Sequence, residues 1–262
     1  IIIGPAILFL LPMRGRFNEA LGFHKIKIST FFIIILFTFL VMPLVTVLNA
    51  LSMFFTDNAI ASMQDDIVGV SFVVMWFLIG IYGPFCEEFV FRGVLYRGYK
   101  TSGKIIGAVL LSSLSFGLMH MNLNQALYAF AIGIFLAMLV EAAGSLWASV
   151  FCHMIFNSIQ VCMMFLSDWM VDVFYGGELG DMQETLTNES LMAAMSVYLV
   201  IAAVTTPIAV CVLAWIVKNE NRVEIVRNLH RREGEAGGYL LSIPFIVALV
   251  LCLGFISLEF IL

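Results

Sequence analysis

Charged side chains are scarce in this chain of 262 residues. They make up 12% of it, while hydrophobic residues make up 62% and the mean hydropathy is +1.04. An average soluble domain has about 25% charged residues, so the composition excludes an ordinary soluble protein. It predicts an integral membrane protein, in which each spanning helix needs about 20 predominantly apolar residues.

Three further features are missing. The five cysteines are odd in number, lie in apolar surroundings and form no CxxC pair, which argues against a disulfide framework. No basic stripe with interleaved aromatic residues is present, so the sequence predicts no nucleic-acid partner. The HExxH pattern of zinc peptidases is also absent, which removes the most specific sequence sign of a zinc enzyme.

The basic residues that are present occupy only three regions. All 13 Lys and Arg residues lie within 14–27, 92–104 and 218–232, while acidic residues crowd 57–66 and 168–189. Cytoplasmic loops of membrane proteins carry an excess of Lys and Arg. We therefore predict that the basic regions face the cytoplasm, against the anionic leaflet of the lipid bilayer. The compact chain suggests a prokaryotic inner membrane.

The apolar segments between these regions predict an all-α, polytopic membrane protein with about eight spans in a single domain over residues 1–262. The predicted spans are 1–13, 29–55, 67–100, 107–120, 125–140, 146–166, 191–217 and 239–262. The first and fourth are short for a bilayer. Pro43 is expected to kink the second span, and Gly83-Pro84 to interrupt the third.

Ionisable residues inside these apolar segments are costly and usually functional. Glu87 precedes the basic turn at 100–104 and His120 follows it, each roughly 20–24 Å along a helix at about 1.5 Å per residue. The two side chains can therefore meet at a similar depth. His153 and Asn157 lie one turn apart on one face of a further helix, within reach of the same place.

Each of these residues also has a structural explanation. Glu88 and Arg92, at positions i and i+4, can form an ion pair that makes both tolerable in the bilayer. His120 could cap a helix end. Glu87 is harder to explain in this way, because no second cation lies near it in sequence. Glu87 is therefore the candidate general base.

Three motifs in order carry a family resemblance. EExxxR occupies 87–92, FxxxH occupies 116–120 and HxxxN occupies 153–157. In this hydrophobic setting they resemble the CAAX protease and bacteriocin-processing (CPBP, or Abi) family of intramembrane endopeptidases, which includes the prenyl-protein endopeptidase of the eukaryotic endoplasmic reticulum. The resemblance covers the motif-bearing core, about residues 84–157.

This resemblance implies a helical fold around a polar, water-filled cavity within the membrane. It also implies that Glu87 activates the attacking water and that His120 helps to position it. By the same resemblance, His153 and Asn157 orient the water or stabilise the oxyanion. The supporting residues that it implies are Glu88, Arg92 and Phe116.

The metal requirement is left open by these residues. Similarity to the eukaryotic endopeptidase favours a glutamate mechanism without a cofactor. The alternative is a Zn²⁺ enzyme, in which Glu87, His120 and His153 would be the ligands, but imidazole and carboxylate groups do not define a metal site without their geometry.

The resemblance implies a membrane-associated peptide or protein substrate, cleaved near the bilayer. A hydrophobic, lipidated or leader-bearing peptide fits this class, and bacterial relatives suggest peptide processing, bacteriocin immunity and contact with export or secretion machinery. The first alternative is a non-catalytic binding or immunity protein on the same fold. A proton-coupled transporter is less favoured, because no second half of the chain mirrors the motif region.

Overall fold

The computed structural model describes residues 21–56, 60–175, 188–228 and 243–258, together with residues 4 and 58. In these ranges the chain is almost entirely helical and has no strand, which confirms the predicted all-α, polytopic membrane fold. The helices are α1 Ile28–Ser52, α2 Gln64–Val68, α3 Phe72–Lys100, α4 Ile105–Leu118, α5 Leu123–Ala143, α6 Leu146–Tyr175, α7 Asn188–Asn219, α8 Val223–Arg227 and α9 Ile243–Leu258.

Five of these helices, namely α1, α3, α5, α6 and α7, are long and apolar enough to cross a membrane. Helices α4 and α9 are apolar but have only 14 and 16 residues. At about 1.5 Å per residue, α4 is roughly 21 Å long, which agrees with its prediction as a short span. Apart from Gly4, residues 1–13 of the first predicted span lie outside the described residues. The total of eight therefore stays a prediction.

Helix α6 is longer than the sequence indicates. It continues to Tyr175, past the predicted end at residue 166. The acidic residues Asp168 and Asp172 mark where the apolar stretch ends, but the first glycine or proline follows only at Gly176. Composition therefore locates the edge of the apolar layer. The helix itself can continue beyond that edge until residues that disfavour helical backbone geometry.

The expected interruption of the third span at Gly83-Pro84 is wrong. Helix α3 is continuous, because it alternates between α-helical turns and two wider π-helical segments, Trp76–Tyr82 and Phe89–Tyr96. The Gly83 N–H group donates to Leu78 O, five residues earlier, as π-helical geometry requires. Such segments occur often at functional sites, and both of these flank Glu87 and Glu88.

The helix ends nearest the basic regions lie together. Lys27 N donates to Glu220 Oε1 at 2.9 Å, which joins the start of α1 to the end of α7. Lys100, at the end of α3, forms an ion pair with Glu141 near the end of α5. Arg222 Nε donates to the Glu141 carbonyl oxygen at 3.1 Å. We call this side of the bundle the basic end.

The opposite helix ends are also joined. Asn124 Nδ2, at the start of α5, donates to Asn49 Oδ1 at 2.9 Å and to Ser52 Oγ at 2.8 Å near the end of α1. The sorting of helix ends into two sides agrees with the arrangement predicted from the charges. That the basic end faces the cytoplasm stays a prediction.

The core lies between α1, α5 and α6, with α7 packed along the other side of α1 and α4 packed along α5. Its fully buried side chains include Ile34 and Phe37 of α1, Leu136 and Leu139 of α5, and Ile216 of α7. Many outward-facing side chains of α7 and α9 are apolar and exposed. Such surfaces suit contact with lipid tails.

Gly117 allows α4 to lie against α5. A Cβ atom at this position would be 2.6 Å from Ala126 O and 3.1 Å from Phe130 N, both backbone atoms. We expect Gly117→Ala to destabilise the protein by about 1–3 kcal/mol, because the two helices must move apart. Thermal unfolding in detergent measures this change.

Gly98→Ala is the matched control, since a Cβ atom there meets nothing within 4 Å. Alanine favours a helix by up to about 1 kcal/mol over glycine, so this variant should be neutral or slightly more stable. Equal destabilisation by both substitutions would contradict the close contact at Gly117 as the cause.

Candidate active site

The Glu88 carboxylate joins two helices at the centre of the motif region. It is fully buried, and its Oε1 accepts hydrogen bonds from Arg92 Nη1 at 2.6 Å and from His153 Nδ1 at 3.0 Å. Arg92 Nη2 also donates to the Gly133 carbonyl oxygen at 3.1 Å. The ion pair predicted from the i, i+4 spacing is therefore present. Pairing is what makes a buried charge tolerable, so Glu88 is committed to structural contacts.

Glu87 has a different environment. Its side chain is 20% exposed, and Oε2 lies 3.7 Å from Nε2 of His153. Because the carboxylate of Glu88 only accepts, the neutral His153 ring carries its hydrogen on Nδ1 and leaves Nε2 as an acceptor. The distance between Nε2 and Oε2 is too long for a direct hydrogen bond, yet one water molecule can contact both atoms.

The Phe116 ring holds both motif histidines. It is 1% exposed and meets the rings of His120 and His153 edge to face, at centroid distances of 5.3 Å and 5.6 Å. Phe91 packs against the same ring at 5.3 Å, and Arg92 Cζ lies 4.4 Å from its centroid. Aromatic and cation–π contacts of this kind restrict ring orientation. Phe116 thus connects α3, α4 and α6 at this site.

His120 follows the last turn of α4. Its Nδ1 lies 3.0 Å from the Phe116 carbonyl oxygen. Since a carbonyl oxygen only accepts, Nδ1 is the donor and Nε2 of the neutral ring remains an acceptor. The helix-capping contact that the sequence allowed is therefore present, and it leaves one ring nitrogen for another partner.

The structure places Asn157 against the backbone of α3. Its Nδ2 donates to the Ile79 carbonyl oxygen at 3.2 Å. In the π-helical geometry of this segment, the donor for Ile79 O would be residue 84, and Pro84 has no N–H group. Ile79 lies about two turns before Glu87. The contact thus compensates for Pro84 and holds α3 to α6.

We expect Asn157→Leu to lower the free energy of unfolding by about 1–3 kcal/mol, because the Ile79 carbonyl loses its donor. The Pro84→Ala background restores a backbone N–H group at residue 84. In that background the effect of Asn157→Leu should shrink to a small fraction. Thermal unfolding of the four proteins in one detergent measures both effects. An equal loss in both backgrounds would contradict the compensation.

The described part of the chain contains no group of three His, Cys, Asp or Glu residues that could hold a metal ion. Glu87, His120 and His153, the alternative zinc set, are therefore not gathered as a ligand cluster. A structural or catalytic zinc ion needs three or four ligand atoms at about 2.0–2.3 Å. A mechanism without a metal ion stays a proposal.

Two residues of the site gave no sequence signal. Gly133 supplies a carbonyl oxygen to Arg92, and a Cβ atom at this position would lie 3.1 Å from Arg92 Nη2. Tyr128, also on α5, lies within electrostatic range of Glu87. Neither residue belongs to a motif. A glycine and a tyrosine in a spanning helix are common enough that only their long-range contacts identify them.

The comparisons with known proteins agree with the motif geometry. Residues 69–159 match the family described as type II CAAX prenyl endopeptidase Rce1-like. This range holds EExxxR, FxxxH and HxxxN together. This part of the chain is similar to the CAAX protease family. The family resemblance stated from the motifs is thereby confirmed.

The chain is also similar to one curated bacterial protein. The chain is 30% identical over 90 residues to YdiL of Bacillus subtilis (strain 168), which is named provisionally as a membrane peptidase. The alignment covers 34% of this chain and 37% of that protein. No solved structure matches the chain. The alignment covers too little of that protein for its activity to be assigned to this chain.

Proposed function

We propose that this protein is an intramembrane endopeptidase in which Glu87 activates water. The difference between the two adjacent carboxylates carries the proposal. Glu88 is buried and bonded to Arg92 and His153, whereas Glu87 is partly exposed and has no hydrogen-bond partner among the described residues. A general base must reach the proton that it removes, and of the two carboxylates only Glu87 meets this condition.

The pair formed by Glu87 Oε2 and His153 Nε2 supports the water position. Both atoms are acceptors, so a water between them donates one hydrogen to each and turns its lone pairs outward. In hydrolysis, the water oxygen forms a bond to the carbonyl carbon while Glu87 takes the proton. The C–N bond then breaks as that proton passes to the leaving amine. Positioning of this kind removes much of the entropic barrier.

The developing oxyanion needs hydrogen-bond donors. Because the neutral His153 ring carries its hydrogen on Nδ1, its Nε2 atom cannot donate to the oxyanion. We therefore assign His153 to orienting the water. The family resemblance then leaves Asn157, whose second amide hydrogen is not used by Ile79. We assign His120 a positioning role through a second water molecule, which can donate one hydrogen to its acceptor Nε2 and the other to a lone pair of the first water.

A mainly apolar groove supports a hydrophobic substrate. It has a volume of about 490 Å³ and lies between α1, α3 and α6, where Phe31, Trp76 and Phe151 line it. Ser158, next to Asn157, reaches the same groove. A hydrophobic, lipidated or leader-bearing peptide could enter here from the bilayer. Bacteriocin or signalling-peptide processing, a secretion partner and an inner-membrane location remain predictions.

A comparison of peptide termini tests the proposal. Host membranes and medium would be analysed from cells that carry wild type, Glu87→Gln or Glu224→Gln at matched expression. Glu224 is an exposed carboxylate paired with Arg227, away from the site, so it controls for the chemical change. New membrane-proximal termini should appear with wild type and Glu224→Gln but not with Glu87→Gln.

The same experiment separates the alternative function. If all three samples have the same termini while the host phenotype still requires the protein, catalysis is contradicted and a binding or immunity role replaces it.

A further inference from the structure

A second polar pocket lies at the basic end of the bundle, apart from the candidate active site. It has a volume of about 390 Å³ and is formed by the ends of α3 and α5, the segment before α1 and the turn between α7 and α8. Tyr96, on its wall, lies about two turns beyond Glu88 on α3. The titratable side chains that line it are His24, Tyr96, Arg97, Lys100, Glu141 and Arg222.

Two arginines of this pocket are placed by the backbone. Gly22 and Gly144 have φ angles of +77° and +72°, a conformation that favours glycine. The guanidinium of Arg97 lies over Gly22 and that of Arg222 lies over Gly144, so that a Cβ atom on either glycine would come within 2.8 Å of the arginine Nε. Each guanidinium therefore lies in space that the Cβ atom of a larger residue at the glycine position would share.

The walls of the pocket are joined by hydrogen bonds. Leu146 N donates to Gly22 O at 2.9 Å, and the Ser145 hydroxyl donates to the His24 carbonyl oxygen. These bonds tie the segment before α1 to the turn between α5 and α6. Hydrogen bonds to the main chain therefore hold the walls of the pocket together, so its shape does not depend on flexible side chains alone.

The charge of the lining suits an anion. Arg97, Lys100 and Arg222 bring three basic groups to the described lining, against one carboxylate from Glu141. Lys100 is paired with Glu141, whose Oε1 also accepts from Tyr96 Oη at 2.8 Å. Guanidinium groups such as those of Arg97 and Arg222 are typical of phosphate recognition, because the planar guanidinium matches phosphate oxygens.

One buried atom indicates a second feature of the ligand. Oε2 of Glu141 has no hydrogen-bond partner in the described residues, and Glu141 is only 9% exposed. A buried carboxylate oxygen without a donor is unfavourable. Because a carboxylate only accepts, the missing partner must be a donor, and a hydroxyl group on the ligand supplies one.

We propose that this pocket binds a phosphate ester that carries a hydroxyl group, namely the glycerol phosphate headgroup of an anionic lipid. The basic end lies where spanning helices leave the apolar layer, at the depth of lipid headgroups, and basic pockets between such helices bind anionic lipids. The volume exceeds what one phosphate requires and falls in the range of about 300–1,000 Å³ found for small-ligand sites. The site is separate from the proposed peptidase chemistry.

The test uses the purified full chain in a non-ionic detergent after removal of lipid. Native mass spectrometry would measure binding of phosphatidylglycerol, phosphatidylcholine and soluble glycerol phosphate. We expect wild type to bind one phosphatidylglycerol at least roughly tenfold more tightly than phosphatidylcholine, as a charge-assisted hydrogen bond implies. Arg97→Gln and Arg222→Gln should each remove most of this preference.

Lys104→Gln is the matched control, because Lys104 is exposed at the same end and does not line the pocket. It should keep the preference for phosphatidylglycerol. Size-exclusion profiles would confirm that each variant is folded. Wild type should also prefer phosphatidylglycerol over phosphatidylmethanol, which lacks the glycerol hydroxyls, and Glu141→Gln should remove this second preference.

Three results would overturn the proposal. If the wild-type protein shows no preference for phosphatidylglycerol, the proposed site is excluded whatever the variants show. An equal loss in Lys104→Gln shows that general surface charge is responsible. Glycerol phosphate binding as tightly as the lipid overturns the lipid source and assigns the pocket to a soluble phosphate ester. None of these results depends on peptidase activity, so failure here is distinguishable from failure of the proposed function.

Discussion

Glu87→Gln should leave the protein folded and slow peptide-bond cleavage at least about 100-fold, the range in which general-base groups contribute. Glutamine keeps the size of the side chain but cannot take the proton from water. Glu87 is partly exposed, and among the described residues its only ion-pair partner is His153, so its loss as an anion should cost little stability. Rates would be measured with the substrate identified by the terminal-peptide comparison.

The controls for Glu87→Gln separate chemistry from folding. Glu224→Gln, an exposed carboxylate outside the site, should cleave at the wild-type rate. Glu87→Asp retains a base but withdraws it by one methylene, so its rate should lie between those of wild type and Glu87→Gln. Wild-type cleavage by Glu87→Gln in a folded preparation would contradict the role given to this carboxylate.

Arg92→Met should have the largest effect on stability. It removes the ion pair at 2.6 Å with Glu88, the bond to Gly133 O and the contact with the Phe116 ring. Breaking a buried pair by removal of one partner costs about 3–5 kcal/mol, because the remaining charge is buried without compensation. We expect little folded, monodisperse protein after extraction, and a lowered unfolding temperature in what remains.

A double variant tests the cause of this loss. Glu88→Gln together with Arg92→Met removes both charges, and the glutamine oxygen can still accept from Nδ1 of His153. Replacement of both partners of a buried pair is often nearly neutral, so the double variant should recover much of the lost stability. Arg227→Met, at an exposed pair, should change little. A double variant as unstable as Arg92→Met would contradict the charge argument.

Local sequence patterns predicted much of this molecule. The scarcity of charge identified a membrane protein, and the three basic regions separated the helix ends into two sides. The spacing of Glu88 and Arg92 predicted their ion pair, because residues four apart share a helix face. These features depend on composition or on neighbours along one helix. They could therefore be predicted without knowledge of the fold.

The division of roles within the motifs required the structure. The spacing along one helix pairs Glu88 with Arg92, but sequence cannot tell which of the two adjacent carboxylates accepts a hydrogen bond from His153 of another helix. The site of Asn157 was also hidden, because its contact with Ile79 depends on π-helical geometry at Pro84. The predicted break at Gly83-Pro84 failed for the same reason, since the wider helix accommodates proline.

The sequence by itself determined the membrane class, the family motifs and the residues available for chemistry, since these follow from composition and from spacing along single helices. Tertiary structure alone decided which partners meet across helices. Phe116 connects two histidines from different helices, and the pocket at the basic end joins Gly22 to Arg97 and Gly144 to Arg222. Such contacts join residues far apart in sequence, and they exist only after the helices have packed.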